Sequence, residues 1–203
     1  MRVAIDGVDG VGKTTFADKL GNAVAQIGRP AIRSSVDGFH NPRELRYRRG
    51  KESPEGFYLD SYDYAALRKY LLDPLSPGGS GAYRSATFDH VTNSPLPVQQ
   101  HMAAAGSVLI LDGLFLHRRE LRDCWDLSVF LDAPFEVTIP RCAARGAGWG
   151  SPDPGAPSNR RYVQGQKMYL REDQPRDRAN VVIDYSDFAE PRVVAWRVAD
   201  RVD

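Results

Sequence analysis

Residues 7 to 14 read Gly-Val-Asp-Gly-Val-Gly-Lys-Thr and restrict the fold more tightly than any other segment. They match the pattern G-x-x-x-x-G-K-[ST] in full. Arg2 to Asp6, just before, reads as a short buried strand. Behind the turn, Phe16, Leu20, Ala23, Val24 and Ile27 recur at spacings of three and four, which predicts a helix from Lys13 to about Ile27, stopped by Gly28. A glycine turn leading from a strand into a helix lets backbone N–H groups close around an anion, and the helix N-terminus adds positive potential. Gly7, Asp9, Gly10, Val11, Gly12, Lys13, Thr14 and Thr15 are therefore the expected nucleotide-binding set. Lys13 would reach the β- and γ-phosphates, and the Thr14 hydroxyl would ligate Mg²⁺. A turn required only sterically explains the glycines but not the lysine and threonine that complete the pattern.

The rest of the chain alternates strands and helices. Ala31–Val36, Ser107–Leu111, Leu127–Leu131 and Val181–Ile183 read as strands, the last one closing the sheet. Ser61 is expected to cap a helix to about Leu72, and further helices run to Arg145 and from Asn159 to about Asp173. Residues 41 to 57 read as a polar surface excursion, and Ala82–His90 as an added strand. Alternation of this kind predicts an α/β fold of three layers, a mainly parallel sheet covered on both faces. At 203 residues, with no linker visible, residues 1–203 are expected to form one domain. Residues 146–158, "GAGWGSPDPGAPS", suit neither helix nor strand and read as a flexible lid.

Charge and cysteine content narrow the function. Lys plus Arg number 27 against 26 acids, a net charge of +1, which argues against a general nucleic-acid binder. Apolar runs such as Val108–Leu111 are far too short to span a membrane. The glycine turn follows the start so closely that no leader peptide is expected. Cys124 and Cys142 have no metal-type spacing and read as reduced thiols. The expected protein is cytoplasmic, its self-association left open.

Two acids fall where strands end. Asp37, in Asp37-Gly38-Phe39-His40, follows the second strand and so shares the P-loop edge of a parallel sheet. There a carboxylate can take a proton from an attacking hydroxyl. Asp112 ends the most apolar strand and stands where an acid holds Mg²⁺, directly or through water. Each also has a plain reading as a turn aspartate before glycine.

Taken in order, the P-loop, "DGFH" after the second strand, "FYLDSYD" (57–63), "TFDH" (87–90), "LILDGLFL" (109–116) and the arginine-bearing helix before the lid resemble the uridine kinase, phosphoribulokinase and pantothenate kinase superfamily. The resemblance spans almost the whole chain. It implies ATP- and Mg²⁺-dependent phosphorylation of a hydroxyl on a small metabolite, with Asp37 as base, Lys13 on the phosphates, and Thr14 and Asp112 at the metal. Arg141 and Arg145, one helical turn apart, are the expected clamps on developing phosphate charge. Phe39, His40, Phe88 and His90, with Asp37, are the expected acceptor contacts. A uridine kinase-like nucleoside acceptor is favoured.

The chain also departs from that family. Cys142 stands where a sugar-binding arginine is expected, and Phe88 and Asn93 replace the tyrosine and histidine that read a pyrimidine edge. A pantothenate-like or sugar-like alcohol is the alternative acceptor, and a switch ATPase without acceptor the alternative class. A GTPase would need an Asn-Lys-x-Asp segment, which is missing, and a thymidylate kinase an Asp-Arg pair where Asp37-Gly38 stands. The basic run Arg43–Lys51 reads as a charged loop, with closure over an anion as the alternative. Tyr162, Gln166 and Tyr169 are expected to pack, and His101 and His117 to have no role.

Overall fold

The computed structural model describes residues 1–146, 148 and 150–197. Its centre is a sheet of β1 (Arg2–Gly7), β2 (Ala31–Ser35), β3 (Val108–Gly113), β4 (Leu127–Asp132), β5 (Val181–Asp184) and β6 (Arg192–Trp196). The spatial order is β6-β5-β4-β1-β3-β2. Every pairing is parallel except β6 on β5. This is the mainly parallel α/β architecture the alternation predicts, with one unexpected antiparallel edge strand. β6 escapes a sequence reading because Val193, Val194 and Trp196 are exposed and show no buried face.

Side-chain alternation divides the core. Val3, Ile5, Val108, Ile110, Val129 and Leu131 point to α1 (Lys13–Gln26), meeting Phe16, Leu20 and Val24. Ala4, Ile32, Leu109 and Leu111 point to the other face, packed on Phe39, Phe57, Leu71 and Phe115. Burial on both faces makes the central strands continuously apolar, and an alanine at fully buried Leu111 would cost about 2–5 kcal/mol.

The middle of the chain departs from expectation. Residues 41–57 are no mere surface excursion: α2 (Pro54–Asp60) begins there and buries Phe57 and Tyr58 against α4 (Arg160–Glu172). Gly165 permits this crossing, since a Cβ there would lie 2.7 Å from the Pro54 carbonyl oxygen. Ser61 does not start the next helix but ends α2 as its C-cap, its hydroxyl donating to the Phe57 carbonyl, and the Asp63 carboxylate caps Tyr64–Leu67 by accepting from the Ala66 amide. Residues 82–90 do not extend the sheet. Ala82–Tyr83 pairs with His101–Met102 and Phe88–Asp89 with Ser94–Pro95, as two small separate ribbons.

After β4 comes α3 (Phe135–Ala143), which carries Arg141, ends two residues short of its expected end at Arg145, and leads into the expected lid. Buried Asn159 gathers that segment, its Nδ2 donating to the carbonyls of Ser151 and Asp153 at 2.7 Å each. Residues 147 and 149 of the expected lid lie outside the described residues.

Candidate active site

Strand register places the chemistry. Ile5 and Ser35 both lie opposite Asp112, and Gly7 opposite Leu131, so β1, β2, β3 and β4 end along one edge. Gly10 and Gly12 take φ of 77° and 97°, where side chains are disfavoured, and a Cβ on Gly10 would meet the Thr138 carbonyl. Gly12 is the N-cap of α1 and provides no side-chain cap, leaving the first amides of that helix for an anion. Lys13 folds back over the loop, its Nζ donating to the Val8 carbonyl at 2.8 Å.

A cleft of about 140 Å³ lies over this loop, lined by Lys13, Thr14, Thr15, Asp37, Asp112 and Arg145, with Gly10, Gly12 and Asp9 at its wall. Thr14 Oγ donates to Asp112 Oδ2 at 2.8 Å, and the other carboxylate oxygen meets Arg33 Nη2 at 2.9 Å. The hydroxyl and carboxylate are hard oxygen donors of the kind Mg²⁺ takes, and a Mg²⁺ held mainly by phosphates and water needs few protein ligands. Among the described residues no three His, Cys, Asp or Glu side chains are grouped to hold a metal. The residues present fit a metal that arrives with phosphates.

Asp37 stands in a 3₁₀ turn, Val36–Phe39, behind β2, its amide donating to Ser35 Oγ. Tyr62 donates its hydroxyl to Asp37 Oδ1 at 3.1 Å, and burial with the adjoining Asp37 and Asp9 carboxylates pushes that phenol well up. His40 pairs its Nδ1 with the Asp37 carbonyl, stacks on His90 at 4.5 Å and leans on Tyr62. Burial pushes the His40 imidazole down, toward the neutral form. Phe39 is fully buried in the core and cannot meet an acceptor: the 3₁₀ turn points Asp37 outward and Phe39 inward. Phe88 is almost as buried, and Asn93 gives its carboxamide oxygen to the Arg43 amide at 2.7 Å.

Arg141, inside α3, and Arg145, just past its end, separate. Arg145 lines the cleft. Arg141 does not; its guanidinium donates to the carbonyls of Tyr185 and Ser186 and stacks on Phe188 at 3.8 Å. Phe188 in turn lies beside Gly12, so Arg141 braces the loop that flanks the P-loop.

Beyond Asp9 a second cavity of about 680 Å³ opens, lined by Asp9, Tyr47, Cys142, Arg161 and Tyr162 among others. Arg161 builds its wall by donating to the carbonyls of Lys51 and Ser53 at 2.9 and 3.0 Å. The basic run is likewise tied down, with Arg49 Nε on buried Asp60 at 2.9 Å and Arg48 on its other oxygen. Gln166 is fully buried and accepts the Asp9 amide at 2.6 Å. His117 is also buried and engaged: Asp6 accepts from the Gly7 amide, from the Tyr169 hydroxyl and, at 2.7 Å, pairs with His117 Nδ1. Gln166, Tyr62 and Arg33 thus join the site, whereas His117 only braces Asp6 of β1. Only "FYLDSYD", which contains Tyr62, offered a signal.

A P-loop, a base-like carboxylate and a metal-type acid on adjoining strand ends define the class: a phosphate-binding α/β fold of the P-loop kind. The sequence profile of the Phosphoribulokinase / Uridine kinase family matches residues 3–146, and the chain belongs to that family. A solved structure described as a possible uridine kinase from Bacillus stearothermophilus superposes with a TM-score of 0.70 at 25% identity, covering 90% of this chain and 87% of that one. Phosphoribulokinase from Rhodobacter spheroides shares the fold at 15% identity and a TM-score of 0.59, covering 97% of this chain and 76% of that one. The uridine kinase of Saccharomyces cerevisiae is 26% identical over 150 residues, which make up 70% of this chain but 28% of the yeast protein.

Proposed function

We propose that this protein transfers the γ-phosphoryl group of ATP to a hydroxyl of a small metabolite. The observation that carries the reading is the 140 Å³ cleft, where Lys13, Thr14, Asp112 and Asp37 face one space that Asp9 joins to a larger cavity. The P-loop amides and Lys13 would hold the β- and γ-phosphates. Thr14 and Asp112 would hold Mg²⁺, which would supply positive charge against the phosphates. Asp37 accepts the proton of the attacking hydroxyl, with Tyr62 orienting its carboxylate. Arg145 meets developing charge on the transferred group.

A nucleoside hydroxyl is the first acceptor to assay, the larger cavity being of a size for one. A second reading, a sugar-like or pantothenate-like alcohol, is favoured by Asn93, whose carboxamide oxygen is already committed to Arg43. ADP release by the purified protein, measured with nucleosides, pantothenate and pentoses at saturating MgATP, tests both. Acceptor-stimulated ADP release that is lost in Lys13→Ala supports the kinase. Hydrolysis indifferent to every acceptor favours the switch ATPase.

A further inference from the structure

Arg33 leaves β2 on the side that faces α1 and ends against the metal-type acid. Its Nη2 lies 2.9 Å from Asp112 Oδ1, and its Nη1 donates to the Ile110 carbonyl at 2.6 Å. Its Nε and Nη2 both reach Asp18 Oδ1 at 3.0 Å. Thr14 occupies the opposite oxygen of Asp112, whose side chain is only 4% exposed. The acid is thus engaged on both oxygens and its charge is balanced. Thr14 and Asp18 stand one turn apart on α1, so a single helix face presents the hydroxyl of the site and the rim carboxylate that shares its guanidinium.

A cation approaching Asp112 meets a carboxylate whose charge is spent and a guanidinium that cannot relieve the repulsion by losing a proton. We propose that Arg33 lowers the affinity of the Thr14–Asp112 site for its divalent cation, and that Asp18 moderates this by drawing the guanidinium outward. Arg33 is then a positioning residue acting through Asp112. The functional consequence is that the metal binds only weakly by itself and enters with the nucleotide, whose phosphates supply the missing negative charge. The inference rests on the phosphotransferase reading, which brings a metal to this place.

Mn²⁺ uptake followed by electron paramagnetic resonance, on the full chain with ADP present, tests it without reference to turnover. Arg33→Met is expected to bind Mn²⁺ roughly 10-fold more tightly, the lower end of what partners of metal-holding groups usually command. Arg33→Lys, which keeps the charge, returns toward wild type. Asp18→Asn is expected to weaken Mn²⁺ binding, because the guanidinium then leans wholly on Asp112. A purely structural Arg33 would not produce opposite signs in the two variants. Unchanged or weaker binding in a folded Arg33→Met protein overturns the proposal. Should that variant fail to fold, Asp18→Asn decides, its side chain being 61% exposed: unchanged or tighter binding there overturns it equally. Wild-type protein that takes up no Mn²⁺ with ADP present overturns the reading of the site itself, and the proposal falls with it.

Discussion

Gln166 on α4 grips Asp9 of the P-loop twice, its Oε1 accepting the Asp9 amide at 2.6 Å and its Nε2 donating to Asp9 Oδ2 at 3.3 Å. A carboxamide can do both because it presents an acceptor and a donor side by side. The pair ties the helix behind the lid to the phosphate cradle, at the one wall shared by the two cavities described above.

Asp9 is an acid inside an anion-binding loop, and burial raises its pKa, with Lys13 opposing and Asp37 adding to the rise. A carboxyl whose folded pKa lies above its unfolded one stabilises the fold below the unfolded value, and that contribution is lost as pH rises through the folded one. Asp9→Asn keeps an acceptor for Gln166 and removes the charge. Its Tm is therefore expected to exceed that of wild type at pH 8, with the gap closing as pH falls into the ordinary carboxylate range. A gap independent of pH, read by thermal melts from pH 4 to 8, would show that Asp9 does not titrate in this way.

How far such relationships are legible in the sequence depends on their span. The P-loop and the first helix are local, so their spacing suffices. Gln166 meets Asp9 across 157 residues, and Tyr169 meets Asp6 across 163, so only the folded sheet brings them together. His117 looks like one more loop histidine until burial and Asp6 are seen. Arg141 and Arg145 share a spacing that suggests one face, yet the loop 185–188 captures the first of them. Phe39 stands among polar neighbours in "DGFH", but the tightness of the 3₁₀ turn sends it to the core.

Lys13→Ala is expected to lower phosphotransfer by roughly 10²–10³-fold or more, the usual consequence of losing one fixed charge contact to the transition state. Coupled ADP-release kinetics at saturating MgATP check it. Turnover equal to wild type would remove the P-loop from the mechanism.

The roles proposed for Asp37 and Tyr62, base and orienter, can be separated by kinetics. Asp37→Asn is expected to cut kcat roughly 10²–10⁴-fold with ATP affinity unchanged. Tyr62→Phe removes the hydrogen bond that fixes the Asp37 carboxylate, so kcat is expected to fall, though by less than in Asp37→Asn, with ATP affinity again unchanged. A kcat in Tyr62→Phe equal to wild type would mean the phenol does not act on Asp37.

The two arginines should part company in kinetics as they do in space. Arg145→Ala is expected to lower kcat by roughly 10²-fold or more, as for a lost transition-state contact. Arg141→Ala frees the loop that packs Phe188 beside Gly12, so it should raise the KM for ATP and spare kcat. Equal losses of kcat in both variants would refute the division.

The acceptor gives the last test. A site that hydrogen-bonds a base edge rejects analogues lacking the matching group, because its own buried polar atoms would be left unpaired. Phe88 offers no hydroxyl and is nearly buried, and the Asn93 carboxamide oxygen already accepts from the Arg43 amide. Neither lines the two cavities described above, so neither is placed to tell the uracil carbonyl from the cytosine amine. Uridine and cytidine are therefore expected to differ by less than about 10-fold in kcat/KM, well short of the roughly 10⁴-fold that a hydrogen-bond-reading site can reach. Steady-state kinetics with uridine, cytidine, adenosine and pantothenate measure this directly. A kcat/KM for uridine above about 10⁴ M⁻¹s⁻¹, with roughly 100-fold or greater preference over cytidine, would mean that other residues read the base, and the polar lining of the larger cavity around Tyr47 and Tyr162 would be the place to find them.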